Sequence, residues 1–238
     1  MEAASDLTTQ PAVRWPMWAW ISVLVGTLAV ALVTEVGAGL ILRRVGTFHH
    51  TAWGVAIVVT LRETAALAVF LALARNRLGL GLGDFVFRRP RAADVGVALV
   101  ATVVTMLILT PLSWLVPRSA PSPIALAMYH GTLPSRLVLA VNVALYSPAV
   151  QELIFRGLVL TALLQRMDSR IAIAVSAVLF ALVHAPDVTS IATALPFGFL
   201  AGWLFVRSRS LWTPIVSHVL INGTSMVWLI AYYMARGR

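Results

Sequence analysis

Apolar runs near twenty residues recur along the chain, divided by short polar or basic connections. Each is long enough for one crossing of a hydrocarbon layer about 30 Å thick. The first predicted span runs from Trp18 to Leu42, the second from Ala52 to Ala74 and the third from Ala93 to Val116. The segment Pro117–Pro134 is rich in Pro and Ser and reads as a loop, with Ser135 as a candidate cap for the next helix. The fourth apolar stretch, Arg136 to Gln165, is thirty residues long. Straight, it would measure about 45 Å, so a kink or break is expected at Pro148, which lacks a backbone donor and frees the carbonyl of Ala144. A fifth, short span follows from Ile171 to Ala185, stopped by Pro186. The sixth covers Val188 to Val206, with Pro196 and Gly198 in its middle. Thr213-Pro214 reads as the start of the seventh, which ends near Met234. The expectation is an all-α polytopic transmembrane helical bundle of about seven spans around a conical intramembrane cavity. Residues 1–16 form a polar amino-terminal tail and 17–238 a single transmembrane domain.

Composition narrows the class. The chain of 238 residues is 60% hydrophobic and 11% charged, too apolar for an ordinary soluble domain. Its formal charge is +9, and every basic residue is Arg. These arginines cluster at span ends, where they orient a membrane protein, so nucleic acid is not expected as a partner. With seven spans, the amino-terminal side receives Arg14, Arg75, Arg77, Arg88, Arg89, Arg91, Arg166, Arg170, Arg207 and Arg209. The other side receives Arg43, Arg44, Arg118, Arg136, Arg236 and Arg238. Ten against six predicts a cytoplasmic amino terminus. There is no cysteine, which removes disulfides, thiolate ligands and Cys nucleophiles. The glycines at Gly79, Gly81 and Gly83 lack dinucleotide-fingerprint spacing and read as a membrane-surface loop. Trp15, Trp18, Trp20, Trp53, Trp114 and Trp212 read as interface anchors.

Polar residues inside the apolar runs carry the candidate chemistry, because charge at membrane depth is costly and usually functional. Gln151, Glu152 and Arg156 interrupt the fourth stretch, and Glu152 and Arg156, four apart, share one helical face. Phe180 and His184 are spaced by four in the fifth, His218 and Asn222 in the seventh. A tight turn near Asp168 would set Glu152 and His184 at similar depth. His218 would lie about 10 Å shallower by helical rise, and the shared cavity would face the cytoplasm. A carboxylate with a histidine can deprotonate water, and a His with an amide can donate to a developing oxyanion. Glu152, His184 and His218 could also ligate zinc with an open position. Glu35, Arg62 and Glu63 read as partners between helices or as the cavity rim; a proton relay through them and Glu152 would suit a small transporter.

Glu152-Leu-Ile-Phe-Arg156-Gly, Phe180-Ala-Leu-Val-His184 and His218-Val-Leu-Ile-Asn222 resemble, in order and spacing, the three motifs of the CAAX protease and bacteriocin-processing (CPBP, Abi) family of intramembrane proteases. The resemblance covers about residues 135–225. It implies an intramembrane endopeptidase, of CAAX prenyl protease and metalloprotease kind, acting on a peptide or lipidated protein tail among membrane lipids. It also implies that His184 works with the first motif on water, that His218 and Asn222 form the oxyanion site, and that Arg156 fixes the carboxylate. The family motif begins with two glutamates, whereas this chain has Gln151-Glu152. Gln151 keeps hydrogen bonds but cannot accept a proton. The alternative is therefore a weak or inactive member acting as a membrane scaffold or bacteriocin immunity protein.

Overall fold

The computed structural model describes residues 14–44, 51–115, 123–185 and 187–235, with the backbone alone at 112–115. His49, His50, Pro117, Arg118, Pro186 and the tail before Arg14 lie outside them. The described chain is helical, with no strand. The helices are α1 (Met17–Arg44), α2 (Ala52–Leu78), α3 (Ala92–Leu115) and α4 (Pro123–His130), then α5 (Leu133–Leu164), α6 (Ser169–Leu182), α7 (Val188–Ser208) and α8 (Trp212–Ala235). All but α4 and α6 are long and apolar enough to cross a membrane, and the chain is a multi-pass membrane protein. Leu32, Val33 and Leu107 are largely exposed, as lipid-facing residues of such helices should be.

Four expectations about the elements change. The supposed loop before the fourth span contains α4, and α5 starts at Leu133, so Ser135 lies inside the helix and hydrogen-bonds back to the Thr132 carbonyl. The fifth span is only 14 residues long, about 21 Å, and falls short of a full crossing. Trp15 and Trp20 are buried in the core rather than anchoring at an interface, while Trp18, Trp53 and Trp212 are exposed; the Trp114 side chain lies outside the described residues.

The fourth change concerns Pro148. Here α5 neither kinks open nor breaks; it widens. Asn142–Tyr146 and Leu153–Leu160 are π-wound, and the Ser147 amide donates to the Asn142 carbonyl, five residues back. The next donor in that winding would be residue 148, a proline. The carbonyl left over is therefore that of Val143, not Ala144, and the Asn222 side-chain amide donates to it at 3.0 Å. Short π segments are rare and favour functional sites.

Hydrogen bonds identify the two ends of the bundle. At one end, the Leu211 amide donates to the Val86 carbonyl, Ser210 Oγ to the Arg88 carbonyl, and the Trp15 amide to Gln165 Oε1. Arg166 also donates to the Trp15 carbonyl. At the other end, the Tyr233 hydroxyl donates to the Ala125 carbonyl, and Arg136 donates from Nε to the Met128 carbonyl at 2.7 Å. Arg136 is thereby buried, not in the aqueous phase.

Candidate active site

Glu152 and Arg156 are fully buried. Their spacing on α5 sets Arg156 Nη1 at 3.2 Å from Glu152 Oε1. Arg156 Nε lies 3.1 Å from Oε2, an ion contact that is not aligned as a hydrogen bond. Arg156 Nη2 donates to the Gly198 carbonyl on α7 at 3.0 Å. Gly198 is needed there, since a Cβ would come within 2.9 Å of Ala177 Cα on α6. Removing that side chain lets α6 and α7 touch backbone to backbone. The guanidinium also lies over the Phe180 ring, 4.7 Å from its centroid, so arginine charge is balanced on three sides.

His218 closes the constellation. Its Nδ1 lies 2.8 Å from Glu152 Oε1. A carboxylate paired to arginine accepts, so Nδ1 carries the hydrogen and Nε2 keeps a lone pair. The 10 Å offset expected for His218 is absent. The 2.8 Å contact sets the imidazole and the carboxylate at one depth, whatever the count of residues from each turn. Phe197 packs on the imidazole at 4.4 Å between ring centroids. His184 is fixed in the same sense: its Nδ1 is 2.9 Å from the Phe180 carbonyl, which can only accept. Both imidazoles thus leave Nε2 free.

A cavity of about 910 Å³ runs between the helices, lined by Gln151, His184, His218 and Asn222 among others. Glu152 and Arg156 do not line it; they stand behind His218. The cavity wall also carries Glu35, Arg62, Ser147 and Asp187. Arg62 bonds Glu63 at 2.7 Å and contacts Glu35 at 3.4 Å, and Ser147 Oγ donates to Glu63 Oε1 at 2.7 Å. This polar ridge ties α1, α2 and α5 at the rim. Ser147 and Phe197 were missed in the sequence. Ser147 was legible as the residue one turn before Gln151, and Phe197 only as the neighbour of Pro196 and Gly198.

Among the described residues, no three His, Asp or Glu side chains are grouped to hold a metal ion. The donor set for zinc does not fit: Glu152 Oε1 faces the Nδ1 side of His218, and both its oxygens lie against Arg156.

The cavity reaches one end of the bundle. Its outer wall includes Arg43 at the end of α1, Pro123 of α4, and Asp187 and Ser190 at the start of α7. Those residues sit at the Tyr233–Ala125 end of the bundle, away from Trp15. The mouth is therefore at the end opposite Trp15, whereas the sequence places the cavity toward the amino-terminal side. The reason is the direction of the helices: Asn222, Ser225 and Met226 line the cavity progressively further along α8, which leads away from the Trp15 end.

Comparison with known proteins falls on the same segment. Residues 133–224 match a family model described as type II CAAX prenyl endopeptidase Rce1-like. This stretch is similar to that family. It holds Glu152, His184, His218 and Asn222, and its limits agree with the three-motif core read from the sequence. A protein named "Putative membrane peptidase YdiL" from Bacillus subtilis (strain 168) is 30% identical over 79 residues, 33% of this chain and 32% of that protein. The chain thus aligns with about a third of the length of that curated relative. No solved structure matches.

Proposed function

We propose that the protein is an intramembrane endopeptidase that hydrolyses a peptide bond inside the α5–α8 cavity. The observation that carries this is the sealed Arg156–Glu152–His218 chain, ending on a cavity-facing imidazole. Glu152 has no access to the cavity and Gln151 cannot accept a proton, so the proton of the attacking water goes to an imidazole. His218 is the better base because Glu152 stands behind it, holding the ring and offsetting the positive charge it gains. As the water oxygen bonds to the substrate carbonyl carbon, negative charge builds on the carbonyl oxygen. Gln151 and the second amide hydrogen of Asn222 are donors on the cavity wall for that oxygen. The protonated His218 then hands that proton to the leaving amine as the carbon–nitrogen bond breaks, which completes hydrolysis without a covalent intermediate, while His184 Nε2 accepts a hydrogen bond from the attacking water. No step passes through zinc.

The test is cleavage of a peptide library by purified protein in detergent. The native chain should cut, and His218→Gln should lower the rate by at least about 100-fold. Equal cleavage by both, or by neither, rejects the proposal. Gln151 favours a second reading, a cavity that binds without cutting. Under that reading the native chain is silent and Gln151→Glu creates activity.

A further inference from the structure

The side on which the cavity opens and the side that holds the arginines are opposite. The mouth is rimmed by the carboxyl-terminal end of α1, by α4, and by the turn between α6 and α7. The far end carries the α2–α3, α5–α6 and α7–α8 connections together with Trp15. Five arginines gather there around one connection: Arg75 and Arg77 in the last turn of α2, and Arg88, Arg89 and Arg91 between α2 and α3. The sequence tally of ten against six sharpens in the structure. Arg136 is withdrawn to cap carbonyls of α4, and Arg43 lines the cavity wall. Arginine in short connections is retained on the cytoplasmic side, and acidic residues contribute little to this bias.

We propose that the cavity opens on the extracytoplasmic side of the membrane, and that its substrates are polypeptides already translocated there rather than tails presented in the cytoplasm. The substrate half of this inference rests on the endopeptidase reading; the sidedness does not. The site floor at His218 lies beyond the level of Asn222 and Ser225 as seen from the mouth. A chain must therefore enter from the extracytoplasmic side in extended form, or as an unravelled helix end, to reach it. Water for the reaction comes by the same route, past Glu35, Arg62 and Asp187.

The chain has no cysteine, so single cysteines report sidedness in the otherwise native protein. Leu133→Cys and Ala185→Cys place probes at the mouth end, on exposed positions. Gly83→Cys places one at the other end, where an added Cβ meets nothing within 4 Å. In intact spheroplasts a membrane-impermeant maleimide should label the first two and spare Gly83→Cys until the membrane is permeabilised. The reverse pattern, or labelling of all three without permeabilisation, overturns the proposal. An impermeant peptide substrate chosen from the detergent screen should then be cut when added to sealed spheroplasts and spared by sealed inverted vesicles. Cleavage in the inverted vesicles alone overturns the substrate assignment. Outward labelling with no cleavage from either side rejects the endopeptidase reading, and the substrate with it, but leaves the orientation standing.

Discussion

His184 and His218 present the same face of the imidazole to one cavity, but they are held by different means. A backbone carbonyl fixes His184; an ionised pair fixes His218. Substitutions should separate these roles. Glu152→Gln leaves Arg156 buried without its counter-charge, which costs about 3–5 kcal/mol, so both thermal stability and cleavage should fall. His218→Gln retains a group able to bond Glu152; it should lose cleavage while its melting temperature moves far less. Comparing the two melting curves beside the two rates checks this. Chelation should leave cleavage unchanged, since the carboxylate that zinc would need is already engaged; loss of activity in EDTA, restored by zinc, would refute the metal-free route. At the rim, Asp187 caps α7 through Ser190 Oγ, with the Ser190 and Thr189 amides adding to it. The Ser190 hydroxyl bond is the main cause holding its carboxyl below the ordinary value of 3.8. A depressed folded-state pKa stabilises above the unfolded value and is lost as pH falls through the folded one. Acid destabilisation below about pH 4 should therefore be smaller in Asp187→Asn, measured by thermal melts across pH.

Along α5, the exchange between Pro148 and Asn222 has a separable structural part. Asn222→Ala leaves the Val143 carbonyl without its donor, at a cost of about 1–3 kcal/mol. Pro148→Ala returns an amide at the next position of the same winding. In the double variant, stability should recover toward native while cleavage stays low, because the catalytic donor is still missing; recovery of both would make Asn222 purely structural. On α7, Gly198→Ala should separate α6 from α7 and destabilise by about 1–3 kcal/mol, as overpacking does, lowering the melting temperature. Most helices were legible from hydropathy because a lipid-facing element must be apolar along its length. The π turns were not. They conserve composition and change only the hydrogen-bond step, so nothing in the pattern marks them except Pro148. Nor was α4 visible, since eight residues between prolines and serines read as loop.

For the molecule as a whole, the sequence brought Gln151, Glu152, Arg156, His184, His218 and Asn222 together as candidates; Gln151, His184, His218 and Asn222 line one cavity, and Glu152 and Arg156 stand behind His218. What it could not supply was the order of layers. Periodicity places Gln151 and Glu152 about 100° apart on the helix, but not which of them meets water; packing against α7 and α8 decides that. Nor could the sequence supply the side of the mouth, which depends on which half of each helix lines the cavity; on α8 the lining runs from His218 on through Asn222, Ser225 and Met226. The winding of α5 has a further consequence. A wide turn spends one more residue than an ordinary one, so it acts as a stored single-residue insertion. Excising Ala144 would keep every motif letter and let the turn close to ordinary winding, with the two halves of the helix still facing the same neighbours. A gene one codon shorter there should encode a folded protein with its ion pair intact, whereas the same excision from the regular winding of α8 would turn one half by about 100° against the other.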